Sequence, residues 1–243
     1  VLAARRTPLP RGSMLWGLVA LGGVFYVGQS FTYFSALSIT KAGLASLLLY
    51  LYPGIVAILA FFFLGERMNP VKIGALALAA TGAILTIGPL GEAKPLGVMY
   101  GVMSALFYSV YIIAGTRLMR GVDALAASTI VMAAAAVVYI PIASLQGWQL
   151  PGTTNSWIGV VGLAVVSTIA ITTFLAGLEL IGPVNASTLS ALEPVVTAVL
   201  AALLLAEALS GRQIAGGVLI LAATLILVRY GEQKRKVGKP DIP

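Results

Sequence analysis

The stretch Ala45-Ser46-Leu47-Leu48-Leu49-Tyr50-Leu51-Tyr52-Pro53 has a counterpart in Ala186-Ser187-Thr188-Leu189-Ser190-Ala191-Leu192-Glu193-Pro194. Each sets a proline inside an apolar run, and each proline is followed at the same spacing by a glutamate, in Pro53…Glu66 and Pro194…Glu207. One constant offset, the step from Pro53 to Pro194, relates the copies. At that offset residues 32–88 align with 173–229 without a gap, and 14 of 57 positions are identical. Matches of Leu and Ala mean little in so apolar a chain. Thr32/Thr173, Ala45-Ser46/Ala186-Ser187, Pro53/Pro194, Glu66/Glu207 and Ile73/Ile214 carry the comparison. The reading is an internal duplication, with chance similarity of two apolar stretches as the alternative.

Composition sets the solvent. Of 243 residues, 59% are hydrophobic and 9% charged, against about 25% charged in an ordinary soluble domain. A soluble globule of this length needs more polar surface than that. The 27 Gly and 12 Pro suit membrane helices, which tolerate both. Without Cys or His the chain has no disulfide framework, thiolate metal site, His-based triad, haem ligand or imidazole proton shuttle. No cofactor is expected.

Charge-free intervals place eight helices near 14–38, 43–64, 71–89, 95–117, 124–145, 156–179, 184–206 and 211–230, each near the roughly 20 apolar residues a span requires. An even number of spans puts both ends on one side. Arg5, Arg6, Arg11, Arg67, Lys72, Arg117, Arg120, Arg229, Lys234, Arg235, Lys236 and Lys239 share that side, while only Lys41, Lys94 and Arg212 face the other. The positive-inside rule makes that side cytoplasmic. The tail Lys234-Arg235-Lys236 reads as an anchor near anionic lipid rather than a nucleic-acid arm. No signal peptide is recognised.

Five spans separate the first helix from its counterpart near 156–179. That number is odd, so the two copies face opposite ways across the membrane, as in secondary transporters with a midplane substrate site. Carried back by the same offset, the helices near 95–117 and 124–145 find no counterparts. The expected fold is therefore an all-α integral membrane bundle with inverted repeats, a ten-helix (5+5) architecture lacking its first two helices. Residues 1–90 form an incomplete N-terminal repeat, 91–232 a five-helix repeat, and 233–243 a basic cytoplasmic tail.

Leu48-Leu49-Tyr50-Leu51-Tyr52-Pro53 with Leu64-Gly65-Glu66-Arg67 resembles the drug/metabolite transporter superfamily, EamA-type branch. So do Leu189-Ser190-Ala191-Leu192-Glu193-Pro194 with Leu205-Ala206-Glu207 and Arg212-Gln213-Ile214-Ala215-Gly216-Gly217. Ala206 stands where the pattern usually has Gly. The resemblance implies an inverted-repeat exporter or facilitator of amino acids and small metabolites in the bacterial inner membrane.

Candidate site residues follow from the membrane setting. Pro53 and Pro194 each remove an i→i−4 hydrogen bond, and matched discontinuities in two repeats point to a transporter's binding site. A kink that merely shapes packing is the plain alternative. Glu193 is the one ionisable residue deep in a predicted span. Such a group faces a cavity or a partner, and two functional roles are open: holding a substrate ammonium, or taking up a coupling proton. A neutral structural Glu is the third reading. Ser190 and Thr197 share its predicted helical face, and its repeat counterpart is Tyr52.

Tyr100, Ser104, Tyr108 and Tyr111 form one face of the helix near 95–117. Gly97, Gly101 and Ala105 occupy the neighbouring face, where small residues allow close packing. Tyr26, Gln29 or Ser30, and Tyr33 repeat the theme on the first helix, and Thr168 and Thr172 add to it. These stripes read as a cavity lining of hydroxyls and rings, or as core. Tyr50 and Asn185 complete the substrate-binding candidates. Glu66 and Glu207 read as carboxylates bonding the N–H groups that open the next helix. Lys41, Lys94, Arg117 and Arg212 read as snorkelling span ends, and Trp148 and Trp157 as interface anchors.

Three functions compete. The first is a secondary transporter moving small zwitterionic or neutral metabolites, such as amino acids, by alternating access. No span interior carries the Lys or Arg that a phosphorylated substrate would want. The second is a non-transporting or truncated membrane subunit; the third is an intramembrane enzyme, for which no apparatus is visible. Expected partners are a small-molecule substrate and the lipid bilayer, not nucleic acid, with monomer and homodimer both open.

Overall fold

The computed structural model describes residues 10–40, 42–87, 94–147, 150–193, 195–196, 199–200, 203 and 210–230, and these contain helices and no strand. Pro194, Thr197, Glu207, Lys41, Trp148 and the tail 233–243 lie outside the described residues. In chain order the helices are α1 (Ser13–Ile39), α2 (Ala42–Leu49), α3 (Tyr52–Leu64), α4 (Pro70–Ile87), α5 (Pro95–Leu118), α6 (Ala124–Gln146), α7 (Thr154–Ile181), α8 (Pro183–Ser190) and α9 (Gly211–Tyr230). Residues 193, 195, 196, 199, 200 and 203 are helical too. α1, α5, α6 and α7 are long and apolar enough to cross a membrane, as a chain that must satisfy every backbone group within its own helices requires.

Two intervals expected as continuous helices are interrupted. α2 gives way to α3 through a turn at Tyr50-Leu51, and α8 ends at a turn formed by Ala191-Leu192. Pro53 stands at the second position of α3, where its missing N–H costs nothing because the first helical amides have no intrahelical partner. The dipeptide Tyr50-Leu51 therefore absorbs the break. The Leu51 N–H reaches back only to the Leu48 carbonyl, at 3.3 Å, and the Leu192 N–H to the Leu189 carbonyl, at 3.0 Å. Both are i→i−3 bonds, the tight geometry found where a helix ends.

A third irregularity lies inside α1 and was not expected from the sequence. Leu21–Tyr26 is a π-turn, so one extra residue is accommodated there. Its cause is a close approach: Gly22 lies against the Val131 backbone carbonyl of α6, where a Cβ has no room. The Gly22-Gly23 pair was the available signal.

The chain forms two compact units. The first comprises residues 1–65 and 89–187, and α5 is its centre, packing against α1, α2, α3 and α7. The small-residue face of α5 makes this possible, with Gly97 against Thr40 and Ile39, and Gly101 against Leu48. Gly28 of α1 meets the Phe107 ring, and Gly115 of α5 meets Leu178 of α7. α7 is exposed along most of its length, as fits a helix whose apolar surface faces lipid. At the end of α5, Arg117 donates from Nη2 to the Phe63 carbonyl. It thus caps the last turn of α3 rather than simply snorkelling. Gly65, at φ 64°, then ends α3 in the left-handed conformation that glycine adopts without steric cost.

The second unit comprises residues 66–88 and 188–243. α4 and α9 pack closely along their length, with Gly82 against the Gly216 carbonyl and Ile220. Ala79, Ala191, Ile220 and Ala223 form its buried core, flanked by Leu78, Leu192 and Val195. The loop before α4 corrects one expectation. Asn69 Oδ1 accepts from the Lys72 N–H at 2.7 Å, so asparagine caps this helix start. The Glu66 carboxylate instead pairs with the Lys72 ammonium, which is buried and demands a counter-charge.

Candidate functional site

Aromatic rings from four helices meet in the first unit. Tyr111 and Tyr108, three positions apart on α5, stack with centroids 6.1 Å apart. Tyr111 also meets Tyr26 of α1 at 6.2 Å. Tyr108 meets Tyr52 of α3 at 4.6 Å and stacks on Phe174 of α7 at 6.1 Å. Tyr50, in the first helix break, approaches Tyr52 at 6.3 Å. The spacings are those of tilted and offset aromatic pairs, each adding about 0.5–1.5 kcal/mol beyond area burial. Tyr111 and Tyr52 are buried, at 3% and 2% exposure, so these two rings hold the cluster together. Tyr108 and Tyr26 are half-buried.

Hydroxyl and amide groups tie α1 to α5 and link α1 and α7 to the neighbouring α2 and α6. Ser104 Oγ donates to the Gln29 carbonyl at 3.0 Å, and Gln29 Nε2 donates to Ser104 Oγ at 3.4 Å. Tyr33 and Ser46 share a hydroxyl bond of 3.1 Å. Thr172 Oγ1 lies 2.8 Å from Ser128 Oγ and 2.7 Å from the Thr168 carbonyl. Ser30 and Tyr139 meet at 2.6 Å. Interhelical bonds of this kind contribute about 0.6 kcal/mol on average within membranes. Asn185, near the start of α8, donates from Nδ2 to the Ile181 carbonyl at 2.9 Å, while its buried Oδ1 has no hydrogen-bond partner among the described residues.

Of the sequence candidates, Tyr108 and Tyr111 stand in the ring cluster, with Tyr50 at its end. Gln29 and Ser104 form one direct pair. Tyr33, Thr172 and Asn185 each take separate partners in the same unit. Ser190 closes α8 and is half-buried, whereas Glu193 lies past the turn with its side chain exposed; both belong to the second unit. Ser190 and Glu193 were expected on one continuous helical face, but the turn at Ala191-Leu192 separates them. Pro53 is buried at the start of α3.

Tyr52 and Phe174 were missed as candidates. The repeat offset held the signal for both, since it pairs Tyr52 with Glu193 and Phe174 with Tyr33. Tyr52 makes a bond no spacing announces: its hydroxyl donates to the Ser187 carbonyl at 3.2 Å. That carbonyl lies in the last turn of α8, just before the second break.

Known proteins match this arrangement. A relative from Archaeoglobus fulgidus, described as an uncharacterised transporter, is 26% identical over 199 residues, covering 82% of this chain and 71% of its own. The aromatic amino acid exporter YddG of Ancylobacter novellus is 29% identical over 126 residues, 49% of this chain and 41% of the exporter. A protein of known crystal structure superposes with a TM-score of 0.81 at 25% identity, over 93% of this chain and 81% of that one. The EamA-like transporter family matches residues 1–88 and 95–229. The protein is thus a multi-pass membrane transporter by kinship and not an enzyme. The chain belongs to the EamA-like transporter family.

Proposed function

We propose that the protein is a secondary transporter of small zwitterionic or neutral metabolites, such as amino acids, working by alternating access between two inverted repeats. The observation that carries this reading is the pair of helix breaks. The offset that carries Pro53 onto Pro194 also carries Tyr50-Leu51 onto Ala191-Leu192, and the bounds of Ala42–Leu49 onto those of Pro183–Ser190. Broken helices at corresponding positions in two repeats are the structural signature of a transporter's substrate site. Such breaks free backbone carbonyls to meet a substrate ammonium. Tyr108, Gln29 and Ser104 supply ring faces, an amide and a hydroxyl; Asn185 Oδ1 supplies an acceptor. Glu193 belongs to the second unit and carries, as a separate assignment from its sequence setting, the role of ammonium or proton partner. The kinship to an aromatic amino acid exporter supports an amino acid over a sugar phosphate. Both ends of the chain face the cytoplasm of a bacterial cell, with the basic loops on that side.

The test is counterflow in proteoliposomes containing the purified chain. Vesicles preloaded with unlabelled amino acids, aromatic and aliphatic in separate sets, should accumulate labelled amino acid above protein-free vesicles. Equal uptake in both preparations across the whole panel rejects the reading.

A further inference from the structure

The two breaks differ in the partner of one backbone carbonyl. The carbonyls of Ser46 and Ser187 occupy equivalent positions in the two copies. The Ser46 carbonyl accepts the Tyr50 N–H at 2.9 Å, an ordinary i→i−4 helical bond. The corresponding amide in the second copy, that of Ala191, turns instead to the Thr188 carbonyl at 3.1 Å. The Ser187 carbonyl accepts the Tyr52 hydroxyl. A side chain from the first break thus occupies a position that a backbone amide fills in the sister copy.

We infer that Tyr52 is a positioning residue whose hydroxyl latches the second break open by holding the Ser187 carbonyl. The first break displays the alternative: with no hydroxyl in place, the Ser46 carbonyl takes the i+4 amide of Tyr50. A buried carbonyl in apolar surroundings does not stay unpaired, because the lost bond costs too much. Releasing the latch therefore exchanges one partner for another rather than leaving a gap. The same carbonyl position takes a hydroxyl in one copy and a backbone amide in the other, and two alternative partners for one oxygen are what a reversible switch requires. The Tyr52 ring is fixed against Tyr108 at 4.6 Å, and Ser109 Oγ lies 3.4 Å from the Tyr52 carbonyl, so the hydroxyl is aimed by its surroundings. The role of the latch in transport rests on the reading above; its existence does not.

The experiment compares the full chain with Tyr52→Phe, which removes one oxygen and keeps the ring packed. Amide hydrogen exchange is followed in lipid nanodiscs for the peptide covering 188–193, and amino acid binding and counterflow are measured in parallel. With the hydroxyl gone, the Ala191 amide exchanges its i→i−3 bond to Thr188 for the better aligned i→i−4 bond to the Ser187 carbonyl, and its exchange slows by about twofold to fivefold, a part of the weight of one hydrogen bond. Counterflow falls by about tenfold while binding changes by less than about threefold, because the switch is biased and the site is not removed. Tyr139→Phe, which loses the Ser30 hydroxyl bond, leaves exchange at 188–193 unaltered and serves as the matched control. Unchanged or faster exchange at 188–193 in Tyr52→Phe overturns the latch. Slower exchange with normal counterflow overturns its positioning role. If the unsubstituted chain shows no counterflow, the transport reading fails by itself, and the exchange measurement still decides the latch.

Discussion

The hydroxyl of Tyr52 donates to the backbone carbonyl of Ser187 at 3.2 Å, across 135 residues of chain. The first residue of α3 thereby grips the last turn of α8, so one discontinuity supplies the polar partner for the other. In a soluble protein, water fills such a position. Within a membrane the partner must come from the protein, and here a tyrosine at a helix start provides it.

Glu193 follows directly after the second break. As the acid assigned to substrate ammonium or coupling proton, it predicts a specific phenotype for Glu193→Gln. Counterflow falls by at least about tenfold, or loses its dependence on pH, while thermal stability in detergent stays within about 3 °C of the parent. Wild-type flux with an unaltered pH profile removes Glu193 from the mechanism.

Ser104 is fully buried and bonded twice to Gln29. Ser104→Ala should cost less than about 2 kcal/mol of stability, the upper range for one interhelical bond in a bilayer. Because it also frees the Gln29 amide, substrate affinity should fall about threefold or more. Isothermal binding in detergent checks the second number, and an unchanged affinity takes Gln29 and Ser104 out of the proposed site.

Two glycines of α4 give opposite expectations. A Cβ at Gly82 lies 2.7 Å from both the Gly216 carbonyl and Ile220, whereas Gly74 has nothing within 4 Å. Gly82→Ala should destabilise by about 1–3 kcal/mol through overpacking. Gly74→Ala should be neutral or stabilise by up to about 1 kcal/mol, because alanine restricts the unfolded chain and favours the helix. Thermal unfolding of the two variants side by side decides whether α4 and α9 are packed as closely as the backbone indicates.

The pair Glu66 and Lys72 belongs to a double-mutant cycle. Removing the carboxylate in Glu66→Gln leaves the buried Lys72 ammonium without its counter-charge, and about 1–3 kcal/mol should be lost. Adding Lys72→Met to that variant should recover most of the loss, since the stranded charge goes with it. Additive losses would show that the two side chains stand independently.

Much of this architecture was legible in the chain itself. Hydropathy reports a local preference for lipid over water, so the starts and ends of α1, α5, α6 and α7 fall within a few residues of the spans read from the sequence. Proline cannot donate an amide, so Pro53 marked a discontinuity within its span, although the start of a new helix at Tyr52 came only with the structure. The repeat offset alone links Ser46 to Ser187. What only the tertiary structure decided is which groups meet across helices. The π-turn beside Val131, the seating of Phe174 on Tyr108, the pairing of Glu66 with Lys72, and the grip of Tyr52 on Ser187 depend on helix rotation and packing depth. Those are set by the fit of side chains from distant segments, a property that no local window of sequence contains.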